Sequence, residues 1–280
     1  MHPVYVHIKK ELSPFYAEEE ASAMAKWISS DILHLSTLEL YTGKDMNFST
    51  KEWEELEDIL RRLKQREPLQ YILQEASFCG RSFHVEQGVL IPRPETEELV
   101  EWIVSDYREA GQVRILDIGT GSGCIPVSLA QLLPEAQVSS CDVSAEALRI
   151  AAMNVKRYGD KVTLFCADIL KEELPECQVD VLVSNPPYIT ESERTDMEAN
   201  VLDWEPELAL FVPDSDPLRF YRRIARKGLD WLSEGGALYF EINRAYGAET
   251  VRMLEALGYR QIELRKDLSG NDRMIKAIRP

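Results

Sequence analysis

The sequence predicts an α/β fold: a mainly parallel sheet covered by helices on both faces, preceded by a small helical-bundle domain. Three observations predict it. Short apolar runs alternate with helical patterns from Val113 onward, a glycine-rich turn follows the first of those runs, and the stretch before residue 68 carries only helical periodicity and helix punctuation. The 280 residues are 45% hydrophobic and 29% charged with 14 Gly and 14 Pro, which allows two packed cores and excludes a disordered or low-complexity chain.

From Ser13 to about Pro68 the pattern is helical. Ser13-Pro14 reads as a helix start with proline in the first turn, and Met24, Trp27 and Ile28 follow at i, i+3 and i+4. Ser49 and Glu52 have capping-box spacing, Trp53, Leu56, Leu60 and Leu63 share one face, and Pro68 lies just past the end. A helical domain is therefore expected over residues 1–67. Over residues 68–94, Phe78, Phe83, Val85 and Val89 with Gly80 and Gly88 predict a short hairpin connector, ended by Pro92-Arg93-Pro94.

Residues 95–280 make the α/β domain. Strand-sized runs lie at 113–118, 138–141, 162–166, 179–183, 237–242, 259–264 and 274–278, with helical patterns such as 145–158 and 217–232 between them. Such alternation gives right-handed β-α-β crossovers and places ligand sites at the C-terminal ends of the strands. The last two runs are separated by residues 265–272, which have turn chemistry and no helix, so the seventh strand is expected to return antiparallel.

Thirty-two basic residues against 48 acidic ones leave a net charge of −16, which repels a phosphate backbone; no direct nucleic-acid partner is expected. No apolar run is long enough for a membrane span, and the first residues lack the apolar stretch of a signal peptide, so a cytoplasmic location away from membranes is expected. Cys79, Cys124, Cys141, Cys166 and Cys177 are odd in number and show no C-x-x-C spacing, and they read as reduced core residues. His2, His7, His34 and His84 offer no metal-ligand pair, so no metal is expected.

Two motifs carry chemistry. The first run of the α/β domain ends Leu116-Asp117-Ile118-Gly119-Thr120-Gly121-Ser122-Gly123, where glycines let a ligand approach backbone N–H groups at a helix N-terminus. The next run ends Cys141-Asp142, about 20 residues on, where a carboxylate can accept both hydroxyls of a ribose. An adenosine-type cofactor follows. The spacing is G-x-G-x-G, with Cys124 where the dinucleotide fingerprint needs a small residue, which disfavours NAD. It is similar to motif I of the class I S-adenosylmethionine methyltransferases, Rossmann-like folds with seven strands of which the last is antiparallel.

The fourth run ends Ser184-Asn185-Pro186-Pro187-Tyr188. Two prolines cannot continue a ladder, so the chain leaves the sheet as a stiff loop. The Asn185 side-chain carbonyl and the Pro186 backbone carbonyl can together accept from both hydrogens of a planar NH2 group, and Tyr188 can pack against it. N-P-P-Y resembles the motif of methyltransferases acting on amide or exocyclic amino nitrogens, whose delocalised lone pairs must be held and enriched for attack.

Pro68-Leu69-Gln70-Tyr71-Ile72, Ile91-Pro92-Arg93-Pro94-Glu95-Thr96-Glu97, the Gly119 to Gly123 loop, Asn185 to Tyr188, Glu205-Pro206 and Gly270-Asn271-Asp272-Arg273 resemble, in this order, the HemK/PrmC family of peptide chain release factor glutamine methyltransferases. The resemblance implies methylation of the side-chain amide nitrogen of the glutamine in the Gly-Gly-Gln loop of release factors, with the helical domain helping to recognise that partner. It also implies that Gly119, Thr120, Gly121, Ser122, Gly123 and Asp142 hold S-adenosylmethionine and that Asn185 touches both cofactor and substrate. Pro186, Pro187 and Tyr188 would complete the glutamine pocket, with Asn185, Pro186 and Tyr188 as the catalytic set and Arg93 and Glu97 beside it. Asp168 stands where class I enzymes often contact the adenine, and it suits equally a cap for the segment from Ile169.

Two departures put local loop shape in question: Gln74, and Asn243-Arg244, stand where the family favours glycine. Residues 189–216 are too long for a simple connection and read as a flap over the pocket, or as a surface insertion. Two other functions use the same motifs. An amino-methyltransferase for adenine or cytosine is disfavoured by the charge and by the lack of a basic reading domain. A catalytically silent cofactor-binding scaffold is disfavoured by the intact Asn185 to Tyr188 motif.

Overall fold

A helix begins where some group satisfies its first free N–H groups, and at the start of this chain that group is the His2 imidazole. In the computed structural model, which describes residues 1–43, 48–171 and 177–280, His2 Nδ1 accepts from Val4 N at 3.2 Å, and Pro3 takes the first position of helix α1 (Pro3–Leu12). The expected start at Ser13-Pro14 is instead an end. The Ser13 hydroxyl and N–H both donate to the Lys9 carbonyl and close the last turn of α1, and the helix stops before Pro14.

Helix α2 (Glu18–Trp27) opens with three glutamates in its first turn and runs into a π turn over Ile28–Ile32. Helices α3 (Thr37–Thr42) and α4 (Thr50–Lys64) both start in full capping boxes, Ser36 with Glu39 and Ser49 with Glu52, and α5 (Leu69–Leu73) follows. Ile8, Leu12, Ala21, Ala25, Ile28, Leu56, Leu60 and Leu63 are the fully buried core. The small Ala21 and Ala25, rather than Met24 and Trp27, form the buried stripe of α2, and Trp53 stays exposed. This unit comprises Met1–Leu73 with Ala199–Trp204, so it runs through α5, past the boundary expected after residue 67. Residues 44–47 of the expected helical stretch lie outside the described residues.

The second unit comprises Gln74–Glu198 and Glu205–Pro280. It opens with the hairpin β1 (Glu75–Phe78) and β2 (Arg81–His84), and continues through α6 (Pro94–Tyr107), β3 (Arg114–Ile118), α7 (Cys124–Leu132), β4 (Gln137–Asp142), α8 (Ala145–Arg157), β5 (Val162–Cys166) and β6 (Val179–Ser184). A short β7 (Ile189–Thr190) leads to α9 (Ala199–Trp204), which clusters with the helical unit. Then come α10 (Glu207–Leu210), β8 (Phe211–Val212), α11 (Arg219–Trp231), β9 (Leu232–Glu241), α12 (Gly247–Ala256), β10 (Arg260–Lys266) and β11 (Asp272–Ile278).

The main sheet has seven strands in the order β10-β11-β9-β6-β3-β4-β5. Strand β11 is antiparallel to both neighbours, and the other pairs are parallel. Helices cover both faces, so inner strands are buried on both sides and alternate residues feed two cores. On β9, Ala237 and Tyr239 join the core with Trp102, while Leu238 and Phe240 join the one with Tyr221. The five cysteines are free thiols, but only Cys124 and Cys141 are core residues. Cys79 and Cys177 are half-buried and Cys166 is exposed, because β5 lies at the sheet edge and Cys166 is its last residue.

One polar residue inside this core is fully satisfied. Asn154, on the buried face of α8, accepts from His84 N (2.8 Å) and donates to His84 O (2.9 Å) and Ser122 O (2.8 Å). It ties β2 to the glycine loop. Asn154→Ala would leave one buried and two half-buried backbone groups without their partner, and we expect a loss on the order of 2–4 kcal/mol in urea unfolding. An unchanged midpoint would show that the hairpin does not depend on Asn154.

Candidate active site

Parallel pairing brings the two motifs together. Ile118 of β3 pairs with Ser184 of β6, and Ser184 Oγ donates to the Ile118 carbonyl at 2.7 Å. The next residues, Gly119 and Asn185, therefore leave the sheet side by side. The N–H groups of Gly119 and Thr120 both donate to Cys141 O, folding the loop back over β4. Gly123 starts α7 at φ +83°, and a Cβ there would lie 3.3 Å from Ala151 Cβ on α8, so glycine is what lets the loop settle against that helix.

Asp142 closes β4 beneath this loop. Its Oδ2 accepts from Gly121 N at 3.0 Å and its Oδ1 from Ser144 N at 2.9 Å. Burial pushes its pKa up and these N–H groups oppose the shift. Each carboxylate oxygen keeps further lone-pair capacity, enough to accept from a vicinal diol. Deeper in the strand ends, Ser140 Oγ donates to Asp117 Oδ2, while Asp117 Oδ1 is buried without a partner. Burial pushes the Asp117 carboxyl up to about 8, against the Ser140 hydrogen bond. Asp168 caps its own turn, accepting from Leu170 N at 2.9 Å, and also lines the cavity.

That cavity has a volume of about 570 Å³. Gly119, Thr120, Gly121, Ser122, Asp142 and Asp168 line one part of it, and Asn185, Pro186, Pro187 and Arg93 another. Pro206, Leu208 and Phe211 from the 189–216 segment border it as well. Gly123 lies behind the lining as the N-cap of α7. Two further expected residues do not line the cavity. Tyr188 donates its hydroxyl to the buried Glu241 Oε1 at 3.0 Å, and Thr96 takes the place expected for Glu97. Arg93 is held by Glu205, whose buried carboxylate accepts from Arg93 Nη2 at 2.5 Å and from Ile91 N at 3.1 Å.

The departures from glycine resolve in opposite ways. Gln74 sits at φ +55°, a left-handed conformation that glycine adopts without strain. Asn243 sits at φ −65° and needs no such freedom. Its Nδ2 donates to the Tyr188 carbonyl (3.0 Å) and to Glu193 (2.9 Å), and its Oδ1 accepts from Ala245 N, so it secures the chain just after the prolines. Within the 189–216 segment β7 and β8 pair in parallel, with Arg194 stacked on Phe211.

Sequence reasoning missed Thr96, Glu241, Asn154 and the role of Arg273. Asn154 had a local signal, since it interrupts the apolar stripe of α8. Arg273 donates to Asp267 Oδ2 at 3.1 Å and to the Ile242 carbonyl, and its charge bears on Glu241 and Tyr188. Among the described residues, no cluster of His, Cys, Asp and Glu could hold a metal ion, and no helix is long and apolar enough to cross a membrane.

Comparison with known proteins agrees with this geometry. Residues 5–73 match the PrmC N-terminal domain family and residues 96–203 the Methyltransferase small domain family. The release factor glutamine methyltransferase of Bacteroides thetaiotaomicron is 50% identical over 280 residues, covering 100% of both chains. That of Flavobacterium psychrophilum is 42% identical over 268 residues, 95% of this chain and 94% of its own. Among solved structures, the hMettl16 catalytic domain superposes with a TM-score of 0.57 at 16% identity, covering 84% of this chain and 83% of that one. A methyltransferase from Pyrococcus furiosus gives 0.51 at 15% identity, covering 82% and 98%. These two likenesses show a shared fold.

Asp117 makes stability depend on pH. A carboxyl that titrates near 8 when folded and near 3.8 when unfolded favours folding at low pH, and that contribution is lost as pH rises between those values. Asp117→Asn cannot titrate. In paired urea unfolding it should gain on the wild type between pH 5 and pH 8, by on the order of 2–4 kcal/mol. A difference constant across that window would show that Asp117 titrates normally.

Proposed function

The chain belongs to the release factor glutamine methyltransferases, enzymes that use S-adenosylmethionine, and we propose that it methylates the side-chain amide nitrogen of the glutamine in the Gly-Gly-Gln loop of a peptide chain release factor. One observation carries this reading: Asn185 and Pro186 face the cavity immediately beside the glycine loop, and both present acceptors. Asn185 commits its Nδ2 to Thr96 Oγ1 at 3.2 Å, which leaves Oδ1 to accept, and Pro186 has a carbonyl but no N–H. A planar NH2 group, with two hydrogens to give, is the complement.

The chain's residues divide the work. The Gly119 to Gly123 loop and Asp142 would hold the cofactor, the glycines letting it come close to the backbone and the carboxylate accepting from its ribose hydroxyls. Asp168 lies in the same cavity and is placed with them. When bound, S-adenosylmethionine supplies a methyl group on a positively charged sulfur. Asn185 Oδ1 and the Pro186 carbonyl hold the amide nitrogen by its two hydrogens, and their hydrogen bonds strengthen as positive charge grows on it. The nitrogen then loses a proton to water. Pro187 and Arg93 border the amide's end of the cavity, and Glu205 fixes Arg93 by charge and hydrogen bond. Tyr188 supports the two prolines from behind, through Glu241.

Intact-mass analysis of a purified release factor after incubation with the enzyme and S-adenosylmethionine should show one added methyl group, mapped by peptide fragmentation to the glutamine of Gly-Gly-Gln. No added mass, or a methyl elsewhere, would overturn the reading. Asn185→Ala should lower single-turnover methyl transfer on the order of 100- to 1000-fold at saturating cofactor. Asn185→Gln moves the acceptor by a methylene and should not restore it, since a misplacement of about 1 Å costs about 100-fold. For Asp142→Ala we expect cofactor affinity to fall roughly 10- to 150-fold by calorimetry, with the fold intact; an unchanged affinity would remove Asp142 from the site.

A further inference from the structure

Asn185 has no way of its own to choose which end of its amide faces the cavity. The two orientations differ only by exchanging an oxygen for a nitrogen, and they are opposite in chemistry. The surrounding residues make the choice through a chain of hydrogen bonds. Glu241 is the last residue of β9 and is 1% exposed. Its two carboxylate oxygens each receive a hydroxyl: Thr96 Oγ1 donates to Oε2 at 2.6 Å and Tyr188 OH to Oε1 at 3.0 Å. Burial pushes the Glu241 pKa up, and these two hydrogen bonds together with the Arg273 charge oppose that shift and favour the carboxylate. Thr96 is 2% exposed, and its single hydrogen is used on Glu241, so toward Asn185 it can only accept. Asn185 Nδ2 donates to it at 3.2 Å.

We infer that Thr96 and Glu241 are positioning residues, which hold the Asn185 side chain with its nitrogen turned into the protein and its oxygen toward the cavity, so that the site takes an N–H donor such as a carboxamide and rejects an acceptor such as a carboxylate. The inference rests on the reading of Asn185 given above and adds what selects for it. Rejection follows because a carboxylate oxygen placed there would face Asn185 Oδ1 and the Pro186 carbonyl, lone pair against lone pair. Thr96 stands at the start of α6, Asn185 at the end of β6 and Glu241 at the end of β9, so three separate elements of one unit converge on this single orientation. Tyr188 has a place in the same chain, since it supplies the second hydrogen bond to Glu241.

Two readouts on the full-length enzyme test it. The first needs no turnover: the Asn185 side-chain amide resonance, assigned by its loss in Asn185→Ala, should shift in Thr96→Val, which keeps the volume and removes the hydroxyl. It should return close to its wild-type position in Thr96→Ser. The second is kinetic: Thr96→Val should lower kcat for a release factor on the order of 10- to 100-fold, with cofactor affinity within about 2-fold, and Thr96→Ser should recover most of the loss. If Thr96→Val does not fold, Glu241→Gln replaces it. Its amide can accept from only one of the two hydroxyls, and its –NH2 frees Thr96 to turn round, so the same shift and the same loss in kcat are expected. An Asn185 resonance unmoved in a folded Thr96→Val or Glu241→Gln variant would overturn the inference, as would equal kcat losses in Thr96→Val and Thr96→Ser. Failure of the wild-type enzyme to modify any release factor would overturn the proposed function instead, with the resonance still deciding the orientation of Asn185.

Discussion

The structure depends on one pairing, the parallel register that sets Ile118 of β3 against Ser184 of β6. In a parallel sheet all strands end on the same side, so two neighbours in register release their chains at the same height. The glycine loop and the Asn185 to Tyr188 segment are thus adjacent although some 65 residues separate them in sequence. The Ser184 hydroxyl, bonded to the Ile118 carbonyl, fastens the pair at its last rung. A slip of one residue would turn every side chain of β6 to the opposite face and carry Asn185 out of the cavity. The packing of β6 and β9 into a different core on each face guards that register, because a slip would exchange the side chains of the two cores.

Above the strand ends, buried charge organises what the sheet cannot. Glu205 and Glu241 are both carboxylates taken out of water, which is tolerable only when each is given donors. Glu205 is given Arg93 and the Ile91 N–H, and so draws the segment before α6 to the 189–216 segment. Glu241 is given Thr96 and Tyr188, with Arg273 nearby, and so connects α6, β9 and the proline loop. Asn243 adds a neutral tie from the chain after β9 to Tyr188 and Glu193. Each of these contacts joins segments quoted from the sequence as separate motifs, which gives a physical reason for residues such as Glu205 and Arg273 to stand where they do.

Seven strands and an antiparallel final strand were legible in the sequence, because apolar runs of strand length and a helix-free turn at 265–272 are local facts. So were the helices with real caps, such as α4. What was not legible depends on distance. Ser13-Pro14 has the composition of a helix start, and only the competing cap at His2 shows that the helix lies before it. Cys166 sits in an apolar run, yet its strand is at the edge of the sheet. In the site, the residues that face the cavity announced themselves through glycine, proline and a strand-end carboxylate. Thr96 and Glu241 did not, since a threonine in a helix's first turn and a glutamate at a strand's end are ordinary until the fold brings them to 2.6 Å.

The exposure of Cys166 at the end of the edge strand gives the molecule an uneven redox surface. Burial holds the Cys124 thiol up at about 12 and raises that of Cys141 further, and both are shut away from solvent, so neither offers a thiolate to an oxidant or an alkylating reagent. Cys79 is half-buried and pushed up to about 11. Cys166 alone among the five stands open, immediately before Ala167 and Asp168 on the cavity wall. Sulfenylation or glutathionylation would thus begin there, on the flank of the cavity. The same asymmetry makes Cys166 the natural attachment point for a fluorophore beside the cavity wall.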